Sequence, residues 1–120
     1  MSNYIGTKIE NCHNLKITVS SPGASEGEMC KEDDTIGMWL NDYDTGDPGV
    51  LIIESERISL PKAAVAIDEG QFIYFDATLL TVTDVSASGL FRCGICKEDA
   101  AAGDARVLVD FWGHDPIEIP

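Results

Sequence analysis

The chain has 120 residues, 44% of them hydrophobic, with 21 acidic against 8 basic side chains and a formal net charge of −13. This length and apolar content fit one domain with its own core and argue against disorder. The acidic excess, with Lys and Arg nowhere clustered, argues against docking on phosphate backbones or anionic membranes, so neither nucleic acid nor membrane is an expected partner.

Residues 1–14 are polar and weakly patterned and read as an N-terminal arm, without the basic flank and apolar stretch of a signal peptide. Leu15, Ile17 and Val19 then alternate with Lys16 and Thr18, as in a half-buried strand, and Ser21-Pro22-Gly23 closes it as a turn. A short strand is expected over 28–31. Another follows where Ile36, Met38 and Leu40 alternate with Gly37 and Trp39, before a turn-rich loop over 42–49. Val50-Leu51-Ile52-Ile53 is apolar, β-branched and too short for a helix. It continues through Glu54, Glu56 and Arg57 to Ile58 and Leu60, giving one long strand or two separated by a bulge, ended by Pro61.

Residues 61–67 are the one expected helix, with proline in the first turn and alanines behind it. Strands are expected over 71–75 and 79–83, joined as a hairpin by Asp76-Ala77-Thr78. Further strands are expected over 90–96 and 105–111, and residues 113–120, with two prolines, read as a surface tail. The expected fold is all-β and mostly antiparallel: a compact sandwich or barrel (residues 15–112) with a short helix near 61–67 and extended terminal arms.

Few residues suggest chemistry. Cys93-Gly94-Ile95-Cys96 is a single C-x-x-C, and a zinc site would have to join it to Cys12 and Cys30. Strand alternation instead puts Cys93 and Ile95 on one face and Cys96 on the other, so buried thiols acting as small hydrophobes are the simpler expectation. Asp42, Asp44 and Gly46 resemble part of a calcium loop, but Pro48 intrudes and Ile53 stands where the bidentate glutamate belongs. His13 and His114 belong to no recognisable triad and are expected to be solvated. No glycine-rich phosphate loop occurs. No catalytic residue and no cofactor are expected.

Several stretches nevertheless carry a resemblance: Ile58-Ser59-Leu60-Pro61-Lys62, then Glu69-Gly70-Gln71-Phe72-Ile73-Tyr74-Phe75-Asp76, Leu80-Thr81-Val82-Thr83 and the Gly94 strand. Ala100-Ala101-Ala102-Gly103-Asp104, running on through Val107 and Val109, completes them. Together they resemble a family of small phage proteins that decorate, or cement, capsids, some of which have been labelled recombinases. The likeness is close over the second half and looser over the first, where Ser25-Glu26-Gly27-Glu28 and Ile36-Gly37-Met38 echo family steps. The cysteines, the acidic loop and the C-terminal tail depart from the pattern.

The resemblance implies a non-enzymatic virion protein, made in the host cytoplasm and placed on the capsid exterior. It would form a homotrimer that binds the mature shell and bridges subunits of the major capsid protein. Contact candidates in or beside the arms are Tyr4, Ile5, Trp112, Ile117 and Ile119, with edge-of-core packing the competing role. A fibre or spike base, or a zinc-stabilised binding domain using Cys12, Cys30, Cys93 and Cys96, are the alternatives.

Overall fold

A computed structural model of the chain describes residues 13–120. Nine strands are found there: β1 (His13–Thr18), β2 (Met29–Glu32), β3 (Thr35–Trp39), β4 (Pro48–Pro61), β5 (Phe72–Asp76), β6 (Thr81–Thr83), β7 (Phe91–Cys96), β8 (Arg106–Trp112) and β9 (Ile117–Glu118). They form one sheet in the order β2-β3-β4-β8-β7-β5-β6, with β1 added to β4 and β9 to β7. Every ladder is antiparallel.

The long strand β4 organises the sheet. Its first half carries β1, and Leu51 and Ile52 also pair with β3; its second half carries β8. The expected bulge lies between Ser55 and Ile58, where three steps along β4 answer two along β8. Ser55 Oγ holds it, accepting from Arg57 N–H at 3.2 Å and donating to Arg57 C=O at 3.1 Å. Beyond the bulge, Ile58 and Leu60 point into the core.

The sheet nearly closes on itself. At the end of β4, Lys62 forms a parallel bridge with Val82 on β6, and Ala63 N–H donates to Val82 C=O at 2.8 Å. Strands β4-β8-β7-β5-β6 thus surround an apolar interior that includes Ile58, Leu60, Ile73, Phe75, Val82, Val107, Val109 and Phe111. Met29, Ile36, Met38 and Ile52 extend this core under the β2–β3 hairpin. A smaller cluster of Val19, Trp39 and Leu51 seals the side toward β1. Because Leu51 belongs to that cluster and Ile52 to the main core, the run Val50–Ile53 has no polar face to show.

The expected helix over 61–67 does not form. Its alanines favour a helix, but the local preference amounts to less than about 1 kcal/mol per residue and yields to tertiary partners. Lys62 N–H bonds Ala105 C=O, Ala63 N–H bonds Val82 C=O, and Ile67 and Ala100 exchange N–H···O=C bonds in both directions. The segment is spent on closing the barrel. Lys62 is only 7% exposed, and its Nζ donates to the carbonyls of Val65 at 2.7 Å, Ala63 at 3.0 Å and Ala102 at 3.4 Å.

Arg106 ties the β2–β3 hairpin to the barrel in a similar way. Its Nε donates to Ser59 Oγ at 3.0 Å, and Nη2 donates to Ser59 C=O at 2.9 Å and Gly27 C=O at 3.1 Å. Burial lowers its pKa, yet a guanidinium stays charged at any physiological pH.

Candidate functional site

The cysteines do not converge. Between Ile73 and Tyr74 the β5–β7 register slips: Ile73 faces Gly94 while Tyr74 faces Arg92, leaving Cys93 as the extra residue of a bulge. Cys93 and Cys96 are therefore both buried in the main core while Ile95 is not, which corrects the strict alternation expected along β7. Gly94 permits the close approach to β8, since a Cβ there would lie 2.5 Å from Val109 Cγ1 and 2.6 Å from Asp110 C=O. Cys30 packs instead with the smaller cluster around Trp39. Cys12 lies outside the described residues.

Burial pushes the Cys93 thiol up to about 12, and burial together with the Glu32 carboxylate does the same to Cys30. Cys96 is raised too, chiefly by burial, although its thiol donates to Glu98 C=O at 3.0 Å. Protonated thiols of this kind are poor nucleophiles. Among the described residues no group of three or more His, Cys, Asp or Glu side chains is arranged to hold a metal ion. Replacing Cys93 with Ala and Cys96 with Val is expected to cost about 1–3 kcal/mol of stability by thermal melting. A chain that no longer folds would instead show that these thiols hold a metal or a cross-link.

The acidic loop encloses a cleft of about 600 Å³ lined by Glu28, Asp42, Tyr43, Asp44 and Asp47 among others. Three of its carboxylates are engaged by backbone N–H groups. Asp42 Oδ1 accepts from Glu26 at 2.8 Å, Glu28 Oε1 from Ser25 at 3.0 Å and Asp47 Oδ2 from Asp44 at 3.1 Å. These bonds shape the turns, as acidic residues commonly do in loops.

The two histidines, far apart in sequence, meet at one carboxylate. His13 Nδ1 contacts Glu54 Oε1, and His114 Nε2 lies 3.7 Å from Glu54 Oε2. Residue-by-residue reading missed this because only the β1–β4 register, with His13 opposite Glu54, and the bond from His114 N–H to Ile53 C=O bring them together. Both histidines are well exposed, so the contact is a surface one of small energetic consequence.

Of the contact candidates, Tyr4 and Ile5 lie outside the described residues. Trp112 ends β8 opposite Glu54 and is half-buried. Ile117 lies on β9 opposite Arg92 and is 45% exposed. Ile119 is half-buried and exchanges backbone bonds with the segment before β7, donating to Leu90 and accepting from Gly89.

Sequence reasoning missed larger exposed apolar side chains. Phe72 is 44% exposed on β5, a position its alternation with buried Ile73 would have marked. Leu79 and Leu80 stand at the β5–β6 hairpin tip, Leu79 66% exposed and Leu80 left-handed at φ 57°. The expected strand over 79–83 starts only at Thr81, because Asp76 Oδ1 accepts from Thr78 and Leu79 N–H and widens the turn.

The structure is thus a nearly closed barrel whose polar groups hold its own loops, with apolar side chains left exposed on β5, on β9 and at the β5–β6 hairpin tip. The chain belongs to the phage cement protein family, whose pattern matches residues 9–111 and so spans the whole barrel apart from its last residues and the C-terminal tail. No curated protein matches the chain. Cement proteins are structural proteins of the phage virion and are associated with its capsid.

Proposed function

We propose that the protein binds the outside of a mature icosahedral phage capsid as a homotrimer and stabilises it by bridging neighbouring subunits of the major capsid protein. The match to the cement family over residues 9–111 carries this reading. The physics is mass-action linkage: a ligand of the expanded shell, and not of its precursor, lowers the free energy of the expanded state. Copies repeated by the shell's symmetry, each joined to more than one subunit, act with an avidity that no single contact supplies.

The arms would lengthen these contacts. Residues 1–14 and 113–120 are the candidates, with Tyr4, Ile5, Trp112, Ile117 and Ile119 as anchors; the exposure of Ile117 supports its part in this. Deleting residues 1–12 leaves all of the described β1, His13–Thr18, in the chain. The truncated chain is expected to fold, to sediment as a trimer and to pellet less with expanded shells. Unchanged pelleting would sink the role of the N-terminal arm. A full-length chain that sediments as a monomer and ignores shells would overturn the proposal itself.

A further inference from the structure

Glu54 pairs with His13 of β1 and also with Trp112 of β8. A strand residue has one neighbour on each edge, so β1 and β8 lie along opposite edges of β4. At the far end of β4, Lys62 N–H bonds Ala105 C=O just before β8, while its other edge bridges Val82 of β6. β1 and β6 therefore share one edge of β4, with β1 beside Pro48–Glu54 and β6 beside Lys62. Between them, from Arg57 to Leu60, no described strand pairs with that edge. This is the seam at which the barrel stays open.

The sequence ahead of β1 suits this seam. Because β1 is antiparallel to β4, extending it back from His13 follows β4 from Glu54 toward Pro61. Residues 5–12, fully extended, would cover about 26 Å, the same span as the path along β4 from Glu54 to Lys62. Ile5, Thr7 and Ile9 alternate with Gly6, Lys8 and Glu10, the period of a strand with one apolar side. Continued without a shift, the register that sets His13 opposite Glu54 sets Ile9 opposite buried Ile58 and Glu10 opposite Arg57. The pattern of the cement family begins at residue 9, ahead of the described β1.

Pro61, at the end of the seam, also lines a groove of about 260 Å³ together with Leu79, Leu80, Glu26 and Glu28. Both leucines are exposed, and Leu80 is left-handed at φ 57°, a costly conformation for a bulky side chain that is commonest where a segment is held for a purpose. The same register brings Ile5 opposite Lys62, next to Pro61, with Tyr4 one residue farther on. Residues 1–9 contain Lys8 and no carboxylate, in a chain of net charge −13, which matches them to a groove rimmed by two glutamates.

We propose that residues 4–10 dock on their own barrel. Residues 5–10 lie along the seam with Ile9 on its apolar side, and the Tyr4 ring fills the groove against Leu79 and Leu80. Chain length selects this occupant over the same segment of a second copy. The chain's own segment starts at the mouth of its own seam, so its effective concentration there is high and no gap has to be spanned. The seating does not rest on the capsid-binding reading, but it bears on it. Tyr4 and Ile5 are covered in the free protein, and a capsid shell has to compete with the barrel for them.

The test is NMR on the full chain without shells. The amides of residues 5–10 are expected to exchange at least about tenfold more slowly than in an unstructured peptide, with NOEs from the Tyr4 ring to the methyl groups of Leu79 and Leu80. Ile9→Asp, which puts a charge on the apolar side of the seam, is expected to abolish both while the β8 amides keep their protection. If that variant does not fold, the exchange and NOEs of the parent decide alone. Parent amides that exchange at the peptide rate overturn the inference, and so do protected amides without any Tyr4 contact to the hairpin tip. In a sample mixing differently labelled copies, NOEs found only between copies overturn it as well and give the groove to a neighbour's segment. Protein that shows the seating yet does not pellet with shells leaves the inference standing and removes only the capsid-binding reading.

Discussion

Replacing Gly113 with alanine is expected to destabilise the protein by about 3 kcal/mol or more, a large share of the 5–15 kcal/mol typical of a domain. A Cβ at this position would lie 1.9 Å from Ile36 C=O and 2.4 Å from Phe111 Cζ. Neither neighbour can give way cheaply. The Ile36 carbonyl is main chain of β3, held beside Gly113 by the Ile36 N–H bond to Gly113 C=O, and the Phe111 ring is fully buried in the barrel. Gly113 C=O meanwhile accepts from Ile36 N–H at 2.8 Å, the bond that fastens β3 to the end of β8. A methyl group at Gly113 therefore pushes the hairpin off the barrel at the point where the two are joined. A melting temperature lower by about 10 °C or more, with faster hydrogen exchange at Ile36, is the expected result. A drop below about 1 kcal/mol would mean that the chain after β8 is loose enough to move aside.

The strands were readable because their patterns are local. In β8, Val107, Val109 and Phe111 are buried while Leu108 and Asp110 are not, and in β4 an apolar run with β-branched residues marks a strand covered on both faces. Barrel closure was not readable, since it depends on where residues 61–67 find their hydrogen bonds. Alanine propensity there points to a helix, and Val82, Ala100 and Ala105, far away in sequence, decide otherwise.

The same distinction separates what was legible of the surface. The outward position of Phe72 follows from alternation along β5 alone. The side on which Arg92 lies does not, because a bulge at Cys93 sets it relative to the rest of β7, and a bulge is a property of two strands. The burial of Cys93 together with Cys96 was hidden for the same reason. The meeting of His13 and His114 at Glu54 required both the β1–β4 register and the path of the chain after β8.

Lys62→Met is expected to cost about 2–4 kcal/mol and to loosen the barrel at one seam. The substitution keeps the apolar stem and nearly the same volume, so packing alone predicts little change. What it removes is an ammonium that bonds three carbonyls, those of Ala63, Val65 and Ala102, from a position only 7% exposed. Two of these lie in the segment that closes β4 onto β6, and the third lies in the turn before β8. No carboxylate pairs with Lys62 among the described residues, so its charge is compensated by backbone dipoles that the methionine thioether cannot engage. Replacing a buried charge by an apolar group can be neutral when its partners are replaced too. Here the carbonyls stay behind, and their lost partners set the sign. Thermal melting reads the cost, and hydrogen exchange locates it: the Ala63 and Ile67 amides should lose protection before those of β8. A variant as stable as the parent, with both amides still protected, would show that the backbone bonds to Val82 and Ala100 close the barrel without the lysine.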